Sequence, residues 1–367
     1  MEKSSLERSL EARLSRHRQA GLIRVREAKA NTRGKICFSN NDYLGLVSEP
    51  LLLKAFEEGA RQYGFGTGSS ALVSGYSPVH ERCEAAFSEY LNRERSLLFA
   101  NGYLGNIGIL PALFDEKSTL FFDKYNHASL YDGARLSGAE LVRYRHLDLN
   151  HLHRLLSRSE RELMGIVTES VFSTDGSESH IPRMITLCSQ SDATLIIDHA
   201  HGFGVSDFPY SQEEVPVLIC PLGKALGGFG SIISGSDTVI EAIMQFARSY
   251  MFSTAAPPAI AYALTEGLHL MKTQTWRKEK LMENIQFFKI KAKELGLNFS
   301  PSNHPIQSLI VGDPQTALSF KKRLFEAGFD VTIMRPPTVP PLNSLVRISL
   351  GASHSFDDIS GLLEAMV

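Results

Sequence analysis

"ATLIIDHAHGFG" (residues 193–204) and "VPVLICPLGKALGGFGS" (residues 215–231) decide how this chain is read. Each begins as a short apolar, β-branched run and then breaks into glycines and polar groups: Asp198 and His201 in the first, Lys224 in the second. A run of that length bounded by turn formers predicts a strand covered on both faces. Similar runs stand upstream as "SLLFA" (96–100), "STLFFD" (118–123), "AELVRY" (139–144) and "MGIVTES" (164–170), with helix-length segments between them. Alternation of this kind builds βαβ units. The expected fold is α/β: a mostly parallel central sheet with helices on both faces.

The flanks read differently. Leu6, Leu10 and Leu14 stand at helical spacing in an amphipathic segment, residues 3–20, ahead of an extended "GKICFSNNDYLGL" (34–46). Residues 50–64 and 77–92 read as helices, and "DTVIEAIMQFARSY" (237–250) as one long helix before the Pro257-Pro258 break. Beyond it, helix (275–296), strand (305–312), helix (314–328), strand (331–334), the proline-rich turn "RPPTVPP" (335–341), strand (345–350) and helix (355–366) predict a smaller C-terminal α+β domain. The expected division is an N-terminal helix and extended segment over 1–45, a large domain over 46–270 and the α+β domain over 271–367.

A chain of 367 residues exceeds what one core commonly supports. With 43% hydrophobic and 21% charged residues the balance is that of a globular protein. A net charge of −2 supplies no field for a polyanion, so nucleic acid is not an expected partner. No apolar run approaches the roughly 18–20 residues of a membrane span. The charged start, "MEKSSLERSLEARLSRHRQAG", lacks a signal peptide's apolar core, and a cytoplasmic protein is expected. Cys37, Cys83, Cys188 and Cys220 match no metal spacing and read as reduced thiols.

In an open parallel sheet, ligands bind outside the carboxyl ends of the strands. Asp123 and His127 follow "STLFF", Ser173 and Asp175 follow "MGIVTES", Asp198 and His201 follow "ATLII", and Lys224 follows "VPVLIC". One crevice would then hold two imidazoles, a hydroxyl, carboxylates and an amine. Each has a plainer reading alone: Asp198 as a loop cap, a histidine as a surface residue. Lys224 lacks the Ser or Thr that follows a P-loop lysine, and "GFGTGSS" (64–70) is a poor dinucleotide fingerprint. A zinc site from Asp198, His199 and His201 conflicts with neighbours pointing to opposite sides of an extended segment.

One chemistry uses the set together. A lysine amine forms a Schiff base with pyridoxal phosphate, which also needs a carboxylate at its ring nitrogen, a flat group over its face and donors for its phosphate. Asp198 suits the first need and His127 the second. The backbone N–H groups of Gly102 and Tyr103, opening an apparent helix in "ANGYLGNIGIL" (100–110), suit the third.

"NDYLGL" (41–46), "SALVSGYSPVHERCE" (70–84), "NGYLGN" (101–106), "NHASLYDGARLSGA" (126–139), "TESVFSTDG" (168–176), "IIDHAHGFGV" (196–205), "LGKALGGFGS" (222–231), "FSTAAPP" (252–258) and "VRISLGASH" (346–354) run in the order found in the α-oxoamine synthases. The chain resembles that family nearly throughout. The resemblance implies the fold of type I pyridoxal-phosphate transferases and a condensation of an amino acid with an acyl thioester that releases CO2. "VSGYSPVH" (73–80) and the compact length resemble the branch that joins L-alanine to a pimeloyl thioester, carried on coenzyme A or an acyl carrier protein, on the way to biotin. Branches using glycine or L-serine, and a silent partner subunit, share the core pattern.

The resemblance further implies a role for each matching residue. Lys224 is the Schiff-base lysine, Asp198 the pyridinium partner and His127 the stacked imidazole. Ser173 and His201 bond the cofactor's phenolic oxygen, and Gly102 and Tyr103 lie at its phosphate. Ser253 and Thr254 reach that phosphate from the other subunit of a homodimer. Arg24, with Arg26 two residues on, meets the acyl substrate, and Arg347 the amino-acid carboxylate. Pro221 stands where the family usually has a threonine, implying weaker phosphate anchoring, and the stretch between His201 and Lys224 is short for the family.

Overall fold

The computed structural model describes residues 3–20, 22–26, 28, 34–336, 338–340 and 342–367. Its strands are β1 (Ile36–Cys37), β2 (Arg95–Phe99), β3 (Ser118–Asp123), β4 (Glu140–Tyr144), β5 (Leu163–Glu169), β6 (Ala193–Asp198), β7 (Val217–Pro221), β8 (Ser231–Gly235), β9 (Ile306–Gly312), β10 (Phe329–Asp330), β11 (Thr332–Met334) and β12 (Ser344–Ser349). The helices are α1 (Ser5–Gln19), α2 (Pro50–Tyr63), α3 (Pro78–Leu91), α4 (Gly102–Leu113), α5 (Ala128–Ser137), α6 (Leu149–Leu156), α7 (Ile181–Ser191), α8 (Asp237–Phe246), α9 (Arg248–Met251), α10 (Pro258–Thr273), α11 (Trp276–Glu294), α12 (Pro314–Glu326) and α13 (Phe356–Glu364). A single π turn, Ala71–Gly75, precedes α3.

β2 and β8 to β3 and β4 form one seven-stranded sheet in the order β2-β8-β7-β6-β5-β3-β4. Only β8 runs against its neighbours, so the sheet is mostly parallel as expected. Successive side chains on a strand point to opposite faces. Here that parity sorts the apolar runs into two cores. Leu98, Phe121, Ile166, Leu195, Ile197, Leu218 and Cys220 join one with α3, α6, α7 and α10. Leu97, Phe99, Leu120, Phe122, Val167, Ile196, Val217 and Ile219 join the other with α4, α5 and α8. Burial on both faces is the reason these strands read as continuous apolar runs rather than as alternating ones.

A third core gathers α11, α13, β9 and β12 with Phe38, Tyr43, Leu44 and Leu46. Its sheet is antiparallel, β11-β12-β9, while β1 pairs in parallel with β10. The extended segment after α1 is thereby stitched to the C-terminal lobe. α1 itself, closed by a Ser4–Glu7 capping box, buries none of its residues. Among the described residues no helix is long and apolar enough to cross a membrane.

The helix expected over 237–250 is two. Ala247 leaves helical geometry at φ −73°, ψ 100°. The break lets the Ser249 hydroxyl donate to the Leu104 carbonyl at 2.6 Å. An added Cβ on Gly108 of α4 would lie 3.2 Å from the Ala247 Cβ, so a glycine permits the close approach.

Glu84 of α3 is buried, accepting from the Tyr76 hydroxyl at 2.7 Å and the Leu98 N–H at 2.8 Å. Burial pushes its carboxyl up to about 7. The folded state therefore binds this proton more tightly than the unfolded chain, so the stability it supports is full below the ordinary glutamate range and declines as pH rises towards 7. Denaturant unfolding at pH 5 and pH 8 should show a loss on the order of 3 kcal/mol at the higher pH. Glu84→Gln, which can accept from Leu98 and donate to Tyr76, should remove most of that difference.

Candidate active site

Strand parity sets the site. Val167, Ile196 and Ile219 face α4, so Glu169, Asp198 and Pro221, two residues further on, face the same side at the carboxyl edge of the sheet. Glu169 and Asp198 are direct partners in the parallel register. The loops beyond β6 and β7 then bring in His201 and Lys224.

The Asp198 carboxylate, 3% exposed, is held from two directions. Its Oδ2 accepts from Asn106 Nδ2 of α4 at 2.9 Å, and its Oδ1 from the Ala200 N–H at 3.0 Å. Asn106 Nδ2 also reaches Ser129 Oγ at 2.9 Å, and Ser129 Oγ lies 2.6 Å from His127 Nδ1. His127 is the N-cap of α5 and is exposed.

Lys224 is half-buried. Burial lowers the pKa of its amine, with Asp198 and Glu169 pulling the other way. Among the described residues the amine has no hydrogen-bond partner, which leaves it available to a ligand carbonyl. His201 is buried, its Nδ1 2.7 Å from the Tyr43 hydroxyl. Burial first, then the Lys224 and Arg347 cations, hold its pKa well below the usual range, so the ring is neutral.

Arg347 of β12 is buried and donates to Asn41 Oδ1 at 2.6 Å; Asn41 also accepts from the Tyr43 hydroxyl at 3.3 Å. The Arg347 Nε is buried without a partner, a donor still to be satisfied. A chain of polar contacts, His201–Tyr43–Asn41–Arg347, thus joins the two lobes across the crevice.

The helix α4 starts at Gly102, where the N–H groups of Gly102 and Tyr103 belong to the unpaired first turn. A Cβ on Gly102 would lie 2.8 Å from the Pro221 Cγ, so the pyrrolidine ring closes one side of the helix start. Tyr103 is exposed, its hydroxyl on Asp132 at 2.6 Å. Ser173 is half-buried in the turn after β5, its backbone N–H directed at Glu169.

Other named residues stand apart from this cluster. Asp123 accepts from Tyr125 and Leu147 N–H groups and meets His146, while Asp175 caps its own turn through Ser177. Both carboxylates shape loops rather than the crevice. Thr254 bridges to Ser70, and with Ser253 it lines a small pocket beside Tyr76, His80 and Tyr250. Arg24 is exposed and reaches Thr338 at 3.4 Å; Arg26 is exposed too. His199 turns to Ser170 at 2.8 Å, away from the partner His201 uses, so the two rings do not share a ligand.

Glu169, Asn106, Ser129 and Tyr43 were not named from sequence. The Glu169 carboxyl is 2% exposed, with Oε1 unpartnered. Burial and then the Asp198 charge raise its pKa well above the ordinary range. Its place two residues after Val167 was the available signal.

The Gly102–Pro221 contact can be tested by a double-mutant cycle. Gly102→Ala should cost about 1–3 kcal/mol of unfolding free energy through overpacking, and Pro221→Ala in the same chain should recover most of it. Additive costs in urea denaturation would mean that the two residues do not press on one another.

A family model described as aminotransferase class I and II matches residues 33–366. The 8-amino-7-oxononanoate synthase of Saccharophagus degradans is 41% identical over 353 residues, 94% of this chain and 89% of that protein. The crystal structure of 8-amino-7-oxononanoate synthase from Francisella tularensis aligns with a TM-score of 0.80 at 32% identity, over 90% of this chain and 96% of that one. A serine palmitoyltransferase from S. paucimobilis, solved with a bound pyridoxal-phosphate–myriocin adduct, shares the fold with a TM-score of 0.89 at 24% identity, covering 99% and 98%. With its mostly parallel sheet, its polar strand ends and these likenesses, the chain belongs to the class I and II aminotransferase family and, within it, to the 8-amino-7-oxononanoate synthases.

Proposed function

We infer that the chain is a pyridoxal-phosphate-dependent acyltransferase that condenses L-alanine with a pimeloyl thioester, releasing 8-amino-7-oxononanoate, CO2 and the free thiol, in biotin biosynthesis. The observation that carries this reading is the meeting of an unpartnered amine, Lys224, with the buried Asp198 carboxylate at adjacent strand ends, below the open first turn of α4. The residues present fit the cofactor: an amine, an anion, the unpaired first-turn N–H groups of α4 at Gly102 and Tyr103, and His127 at the mouth.

When bound, pyridoxal phosphate supplies an aldehyde for an amine and a ring that accepts the electron pair left at a substrate carbon. The chain supplies the rest. Lys224, its pKa lowered, would hold the cofactor's aldehyde and, as a free amine, would take the α-proton of L-alanine. Asp198, braced by Asn106 and the Ala200 N–H, keeps the ring nitrogen protonated. His201 and Ser173 bond the phenolic oxygen. Arg347, with Nε free and Nη2 on Asn41, binds the alanine carboxylate. Gly102 and Tyr103 receive the phosphate, and Arg24 or Arg26 the acyl substrate.

The site is completed by a second copy of the chain. Ser253 and Thr254 lie by Ser70 rather than beside Lys224, and the exposed apolar side chains Phe65, Val73 and Phe252 cluster in the neighbouring sequence segments. A homodimer that buries these residues would offer Ser253 and Thr254 to the partner's phosphate. The setting we assign is the cytoplasm, where four free cysteines remain reduced.

Three outcomes are expected. Titration of the cofactor-loaded protein should give a visible-spectrum change with L-alanine well below the concentrations needed for glycine or L-serine; preference for either of those would move the chain to another substrate. Lys224→Ala should lower turnover by at least about a thousandfold. Co-expression of Lys224→Ala with a Ser253→Ala/Thr254→Ala chain should restore activity that neither has alone, since the mixed dimer contains one intact site; no restoration would place Ser253 and Thr254 in cis or outside the site.

A further inference from the structure

The polar chain from Asp198 to His127 fixes where its protons lie. An ionised carboxylate only accepts, so Asn106 must face Asp198 with its NH2 group. The reverse orientation would set Asn106 Oδ1 against the carboxylate; in the orientation adopted that oxygen is buried without a partner. The same nitrogen gives one hydrogen to Asp198 Oδ2 and the other to Ser129 Oγ, each at 2.9 Å. Ser129 Oγ, having accepted, has one hydrogen of its own to give, and His127 Nδ1 is 2.6 Å away. The Ser129 backbone N–H also points at His127 Nδ1, at 3.3 Å. Two donors converge on one ring nitrogen, which leaves no place for a hydrogen there.

We propose that Asn106 and Ser129 are positioning residues that lock His127 in its Nε2–H tautomer, so that the imidazole presents a hydrogen-bond donor to an oxyanion of the substrate. A neutral imidazole carries one ring hydrogen, and with Nδ1 accepting it must sit on Nε2. Asp198, Asn106 and Ser129 lie on β6, α4 and α5, and His127 caps α5, so the lock is built on regular elements. Asp198 thereby acts twice, at the cofactor nitrogen and, through Asn106 and Ser129, on the His127 proton. The oxyanion, but not the tautomer, rests on the reaction proposed above.

The test is the two-bond proton–nitrogen correlation of 15N-histidine-labelled, cofactor-loaded full-length protein at neutral pH, with His127 assigned by its loss in His127→Asn. The expected pattern has a pyridine-like Nδ1 and a pyrrole-like Nε2. Ser129→Ala should raise the Nδ1–H population at least about fivefold and lower kcat with little change in the KM for L-alanine; Ser129→Thr, which keeps the hydroxyl, should restore both. An Nδ1–H tautomer in the parent protein, or a tautomer ratio indifferent to Ser129→Ala, overturns the proposal. Asn106→Ala should shift the ratio in the same direction, and Ser129→Ala carries the test if that variant does not fold. A locked Nε2–H ring in a protein inert towards L-alanine would overturn the reaction while leaving the lock standing.

Discussion

The structure depends on one constraint: a mostly parallel sheet buried on both faces tolerates within its strands only small hydroxyls that find a partner, such as Ser96 and Ser234 at 2.7 Å, so the charged groups collect at the strand ends. Phe121, Ile166, Ile197 and Leu218 fill one face, Phe122, Val167, Ile196 and Ile219 the other. A polar group among them would be desolvated without a partner, at a cost of roughly 1–3 kcal/mol or more. Where the strands stop, the loops supply N–H groups and hydroxyls that can meet such groups. Asp198, with a backbone N–H on one oxygen and the Asn106 amide on the other, is the clearest case.

Concentrating charge at that edge has electrostatic consequences. Lys224, Arg347, Asp198 and Glu169 share a poorly solvated space, and for Lys224 burial outweighs the attraction of the two carboxyl groups. The buried His199 and His304 are pushed to about 3 and are neutral. Burial and the neighbouring Asp198 raise the pKa of Glu169. The crevice therefore sets the Asp198 carboxylate, held by Asn106 and the Ala200 N–H, beside an amine whose pKa burial lowers. That is a suitable arrangement for a cofactor whose ring nitrogen must stay cationic while a nearby amine exchanges protons.

The second lobe contributes through contacts of long sequence separation. Asn41 and Tyr43 reach His201 on one side and Arg347 on the other, tying an early extended segment to β12 and to the loop after β6. Phe38, Tyr43, Leu44 and Leu46 share a core with α11 and α13, so a shift of the C-terminal lobe would move Tyr43 and with it His201. Position and protonation of the crevice groups are thus coupled to the packing between lobes.

Local pattern sufficed for the strands and helices it named because their signals, short β-branched runs and helical periodicity, are carried by neighbouring residues; it did not name β8 (Ser231–Gly235), the strand that runs against its neighbours, or α10 (Pro258–Thr273). It also sufficed to nominate Lys224, Asp198, His127 and His201, each of which follows a recognisable strand. It missed the break at Ala247, because the contact that accompanies the bend, Ser249 bonding Leu104, is made to another helix. It missed Asn106, Ser129, Tyr43 and Glu169 for a related reason. An asparagine inside a helix or a glutamate at the end of a strand carries no local mark of its partner. The sequence by itself determined which segments are strands and which polar residues lie at their ends, through side-chain periodicity and turn chemistry. Only the tertiary structure decided that Asp123 and Asp175 turn into loops while Asp198 reaches His127 through two intermediaries, because hydrogen bonding and desolvation act through space, between residues the chain holds far apart.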